Sequence, residues 1–150
     1  VVVRHESRPQ REDSRAFRRG EDVNAYVETD YLLALAKDSD WLKARAEEEL
    51  EEHDVVTSTY SYLEILLISE RHEFDYIKLF SNMLEVVPVE TDEERQIVLK
   101  AVNYFENGMT AFDSFHAATA ENRGHPILSS DKAYEDVDPE RLPLEPTEDA

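Results

Sequence analysis

The chain has 150 residues, a length that suits one domain, and its 41% hydrophobic content is enough for a true core. It contains no cysteine, which excludes disulfides, thiolate metal sites and cysteine nucleophiles. Its net charge of −19 reads first as a heavily solvated acidic surface and argues against a simple nucleic-acid binder with a basic face.

Residues 1–22 hold six arginines against five acids, few apolar side chains and no periodicity, so they read as a disordered leader. They lack the apolar core of a signal peptide. No later apolar run approaches the roughly 18 residues that cross a bilayer. The expectation is a soluble cytoplasmic protein with a domain over residues 23–145 and a tail at 146–150.

From residue 24 the pattern alternates between short apolar strands and longer helices. Residues 24–29 read as a strand, followed by a helix through Tyr31, Leu32, Leu33 and Leu35. Residues 40–52 form a charged amphipathic helix opened by Trp41 and Leu42, and 55–58 a β-branched strand. Helices follow at 60–70, with Leu63, Leu66 and Leu67 inward, and at 73–83. A strand at 85–89 precedes a helix at 92–107 stopped by Gly108, then a helix at 110–122 stopped by Gly124. Residues 126–129 read as a strand and 141–144 as an edge strand. Strand, helix and strand in succession imply parallel βαβ units. The architecture expected is a three-layer α/β/α sandwich around a central, mainly parallel sheet.

In open α/β sheets, sites form outside the carboxyl ends of the strands. There the first strand delivers Glu28-Thr29-Asp30, the strand at 126–129 leads to Ser130-Asp131, and the helix at 110–122 begins with Asp113 one turn in. Each acid also has a structural explanation. Asp30 and Asp131 suit helix N-caps, and Ser61-x-x-Glu64 and Thr110-x-x-Asp113 resemble capping boxes. Glu64 stands apart, because it lies between Leu63 and Ile65 in a helix apolar nearly all round. A carboxylate buried there needs a partner or a metal ion. Two carboxylates about 4 Å apart repel by about 4 kcal/mol at a typical effective dielectric. A cluster of Glu28, Asp30, Glu64, Asp113 and Asp131 therefore takes up protons or binds a cation, and oxygen ligands favour Mg²⁺ or Mn²⁺.

The run Tyr26-Val27-Glu28-Thr29-Asp30-Tyr31-Leu32-Leu33-Ala34-Leu35 resembles the opening motif of PIN-domain nucleases, especially VapC-type toxins. Phe112-Asp113-Ser114-Phe115-His116-Ala117-Ala118-Thr119-Ala120 resembles their third motif and Ile127-Leu128-Ser129-Ser130-Asp131 their fourth, with an 18-residue step from Asp113 to Asp131. Glu64 takes the place of the family's helical glutamate. The family's usual Asp-Thr-Asn opening here reads Glu28-Thr29-Asp30. Residues two apart on a strand point the same way, so either acid is a candidate metal ligand.

The resemblance implies a divalent-metal-dependent endoribonuclease in which Mg²⁺ or Mn²⁺ is held by these carboxylates and metal-activated water hydrolyses the RNA phosphodiester. Thr29 and Ser129 would then contact the metal's surroundings or the substrate. His116 reads as a packing residue. The same resemblance implies a homodimer and an antitoxin partner. Two other readings stay open, a catalytically silent α/β interaction module and another metal-dependent phosphoryl-transfer enzyme.

The charge bears on the RNA. Residues 23–150 carry 30 acidic and 10 basic side chains, only five of them lysine. Acid-rich, lysine-poor surfaces suit a cytoplasm of molar salt, where the Debye length is about 3 Å and repulsion of phosphate is screened. A halophilic source is the expectation.

Overall fold

The computed structural model describes residues 25–36, 42–69 and 75–146. The leader expected at 1–22, the helix-opening Trp41 and the end of the tail lie outside the described residues. Strand β1 (Ala25–Tyr26) is followed by helices α1 (Thr29–Ala36) and α2 (Lys43–Glu52), then strand β2 (Val55–Val56). Helices α3 (Thr59–Ser69), α4 (Tyr76–Val86), α5 (Asp92–Glu106) and α6 (Ala111–Arg123) follow. Strand β3 (Ile127–Ser129), a short 3₁₀ helix (Lys132–Asp136) and strand β4 (Arg141–Pro143) complete the described chain. The fold is an α/β sandwich with short parallel strands.

Every strand pairing among the described residues is parallel. In one pair Ala25 meets Val55 and Tyr26 meets Val56, and a single bridge from Thr57 to Val89 extends it. In the other, Ile127 meets Arg141 and Ser129 meets Pro143. The expected continuous sheet is thus two parallel pairs and one bridge among the described residues. Of the expected strand at 85–89, Glu85 and Val86 end α4, Val87 caps it, and Val89 alone pairs, in the bridge to Thr57. The buried residues Phe80, Met83, Leu84 and Val87 recur at helical spacing. That packing overrides the β propensity of the valine run.

The core joins Leu32 of α1, Tyr62 and Leu66 of α3, Phe80 and Leu84 of α4, Val98 and Val102 of α5 and Phe115 of α6. Tyr62 packs on Phe80 with ring centroids 5.3 Å apart, and its buried hydroxyl donates to the Val87 carbonyl at 2.7 Å. Such a partner removes the cost of burying the phenol's polar end. Helices α5 and α6 make the most extensive helix contact. Their starts are capped: Thr91 and Glu94 form a full capping box on α5, and Thr110 accepts from the Asp113 amide at 3.2 Å on α6. Gly124 ends α6 at φ +70°, a left-handed conformation that side chains other than glycine's strain to adopt, and the chain turns there into β3.

Candidate active site

Thr29 ends the opening motif's extended run and starts α1, where it and Leu32, one helical turn on, are both buried. The expectation that Glu28 and Asp30 share one strand face therefore fails. Glu28 precedes the helix, its carbonyl accepting from the Tyr31 amide at 3.0 Å, and Asp30 lies inside the first turn rather than at the cap. Both acids are exposed, while Thr29 between them is buried. The Asp30 amide points to Glu28 Oε1 at 3.4 Å. Close by, the Tyr26 phenol is held below its ordinary range, chiefly by its hydrogen bond with Ser58 at 2.8 Å.

Glu64 is exposed, not buried among apolar side chains. Helix α3 buries Ser61, Tyr62, Ile65 and Leu66, which leaves Glu64 on the opposite side with Tyr60, Leu67 and Ile68. A helix apolar all round here has an uncovered face. Ser61 is no capping-box residue either: it lies within the helix, and its hydroxyl is hydrogen-bonded to that of Thr57 at 2.7 Å, the Thr57 proton going to the Val27 carbonyl. Glu64 nonetheless has a fixed partner, because the buried Thr29 hydroxyl donates to its Oε1 at 2.5 Å. That bond ties the opening motif to α3 across 35 residues of sequence.

Asp113 takes only half of a capping box. Its amide bonds the Thr110 hydroxyl, but its carboxylate Oδ1 accepts from the Tyr134 hydroxyl at 3.1 Å instead of closing back on the cap. Asp131 caps the 3₁₀ helix, with Oδ1 accepting from the Ala133 amide at 2.9 Å, and its own amide donates to Ser129 Oγ at 3.0 Å. The structural and functional readings of Asp131 thus share one side chain. Tyr134 is buried between the two acids, and its phenol is pushed well above its ordinary range. Burial is the first cause, followed by the Asp113 hydrogen bond and the charges of Asp113 and Asp131. The Tyr134 hydroxyl thus holds Asp113, while Asp131 caps the short helix that carries Tyr134.

Tyr134 escapes a search for acids in the sequence. The available signal was an aromatic ring set among charged residues 131–136, which has to find cover. His116, expected to pack, is exposed: α6 buries Ala111, Ser114, Phe115, Ala117 and Ala118, which turns residue 116 outward.

The donors suit a hard divalent cation, being carboxylate and hydroxyl oxygens. Among the described residues, each of Glu64, Asp113 and Asp131 uses one carboxylate oxygen in a hydrogen bond to the protein, which leaves the other for a ligand. No three acids or histidines among the described residues stand close enough to hold an ion together. The donor chemistry fits, and the spacing is open.

The profile of the PIN domain matches residues 25–139, most of the chain, and the chain belongs to that family. PIN domains are generally metal-dependent nucleases, often the toxins of toxin–antitoxin systems. Comparison with curated proteins and with solved structures found no match. No helix among the described residues is long and apolar enough to cross a membrane.

Proposed function

We propose that the protein is a divalent-metal-dependent endoribonuclease of the VapC type, the toxin of a toxin–antitoxin pair. The observation that carries this reading is that Tyr134, on the short helix capped by Asp131, donates its hydroxyl to Asp113, linking the start of α6 to the turn after β3. Asp113, Asp131 and Glu64, with Glu28 or Asp30, would hold Mg²⁺ or Mn²⁺. When bound, the ion supplies an activated water and neutralises charge on the phosphodiester.

The chain's own residues do the positioning. Tyr134 orients Asp113, the Ala133 amide orients Asp131, and Thr29 fixes Glu64 while itself held in the core. Ser129 steadies the turn before Asp131. The domain at 23–145, an antitoxin partner and a homodimer belong to the same reading. The exposed Leu67 and Ile68 beside Glu64 support a partner on α3.

The test is cleavage of structured and single-stranded RNA in molar KCl with Mn²⁺ or EDTA, alongside Asp113→Asn. Cleavage should require Mn²⁺ and fall by about 100-fold or more in the variant, equivalent to a few kcal/mol of transition-state stabilisation. Cleavage that persists in EDTA or in the variant contradicts the carboxylate–metal mechanism. Absence of cleavage under Mn²⁺ favours a catalytically silent module.

A further inference from the structure

Beside the acids lies a groove of about 430 Å³ between the outer face of α6 and strand β3. His116 and Arg123 line it from the helix, His125 from the turn after Gly124, Leu128 and Ser129 from the strand, and Tyr134 closes it. Two of these residues also belong to the candidate active site. Tyr134 holds Asp113, and Ser129 receives the Asp131 amide. The groove and the acid pair are therefore continuous.

The lining is distinctive for this chain. The sequence carries 35 acidic residues, yet among the described residues no carboxylate lines this groove. Two other grooves carry Glu121, Asp138 and Glu140 in one case and Glu90 and Asp92 in the other, and the first of them adjoins this groove through Ala120, His125 and Pro126. An anion lying in the groove itself meets Arg123 and two imidazoles, with the nearest lining carboxylates beyond His125. The groove also offers the right groups. Imidazole rings give faces for base stacking and N–H donors for phosphate, and Leu128 is 63% exposed. Arg123 already pairs with Glu93 at 3.2 Å, but both side chains are about half exposed. Such a surface pair is weak enough to exchange for a phosphate.

We infer that this groove holds the nucleotide flanking the scissile phosphate of a single-stranded RNA, with Arg123 and His125 on its phosphate and His116 and Leu128 against its base. The inference rests on the nuclease reading and adds the path of the substrate. The volume lies near the low end of the roughly 300–1,000 Å³ of small-molecule sites, which suits one splayed nucleotide.

The test uses the full chain carrying Asp113→Asn, so that RNA is bound without being cut, and a fluorescein-labelled single-stranded oligoribonucleotide titrated with Mn²⁺ present. Arg123→Glu and Lys78→Glu change the net charge equally, but Lys78 lies on α4 outside the groove. Arg123→Glu and His125→Glu should each weaken binding at least about fivefold, with Lys78→Glu changing it less than about twofold. The slope of log affinity against log salt should become shallower by about 0.7 for each phosphate that a variant no longer neutralises. Because these side chains are exposed, the variants should fold, and the ring resonances of His116 and His125 give a second readout. With diamagnetic Mg²⁺ replacing Mn²⁺ in this measurement, RNA should shift both while leaving His53 in place. Equal weakening in all three variants, or none in any, overturns the groove; Mn²⁺-dependent cleavage by the unmodified protein would then leave the nuclease reading standing. If the unmodified protein neither binds nor cuts the oligonucleotide, both fall.

Discussion

Tyr134 shows how much one side chain does at the site. Its hydroxyl bonds Asp113, its ring is buried, and the charge of Asp131 also reaches it. Tyr134→Phe keeps the ring and deletes the bond, so stability near neutral pH should drop by about 1 kcal/mol, as for other single hydrogen bonds. The pH dependence has a definite sign. The folded phenol titrates above its ordinary value of 10.0, so its contribution is fully present below about pH 10 and is lost as pH rises through the folded value. The gap between wild type and Tyr134→Phe, measured by urea unfolding, should therefore narrow above pH 10. Tyr31 and Tyr104, both pushed up to about 12, titrate alike in the two proteins and cancel in the difference. A gap that widens above pH 10 would contradict the arrangement of Tyr134 against the acids. RNA cleavage by the variant should weaken too, since Asp113 loses the group that orients it.

The helix starts supply a comparison between architecture and chemistry. Thr91 closes a full capping box on α5, whereas Thr110 caps α6 one turn ahead of Asp113. Thr91→Ala and Thr110→Ala should each cost about 1 kcal/mol. Only Thr110→Ala should also slow RNA cleavage, because it frees the first turn that carries Asp113. Equal cleavage rates in the two variants at matched stability would separate the cap from the site. At this scale much was legible in the sequence. Thr110 before Asp113, and Gly108 and Gly124 after their helices, are local signals, and the structure places helix ends beside all three. The acids Asp113 and Asp131 were legible by position, while Tyr134 was not, since its role depends on a contact across 21 residues. Glu64 misled for a related reason: hydropathy records that α3 is apolar all round, but which face the core covers is decided by neighbouring helices.

Across the whole molecule, charge is the dominant property. The chain carries −19, and its described ion pairs are mostly local, such as Arg45 with Glu48 and Glu49. Pairs of this exposed kind add little, so the remaining acids repel. If the source is halophilic, melting should move to clearly higher temperature between low and molar KCl as that repulsion is screened. A midpoint indifferent to salt would contradict it. The sheet was less legible than the helices. Strands of two or three residues have little periodicity to read, and their pairing depends on partners about 30 residues away in β1 and β2. Arg141 carries a different consequence. Its guanidinium donates to the Ser129 carbonyl and pairs with Glu135 and Glu145, from a position just beyond the region matched by the family. The turn bearing Asp131 is thus anchored by a later piece of chain, and the two share one free energy. By reciprocity, an occupant that orders the turn before Asp131 also steadies Arg141 and β4, and a change that draws Arg141 away loosens that turn.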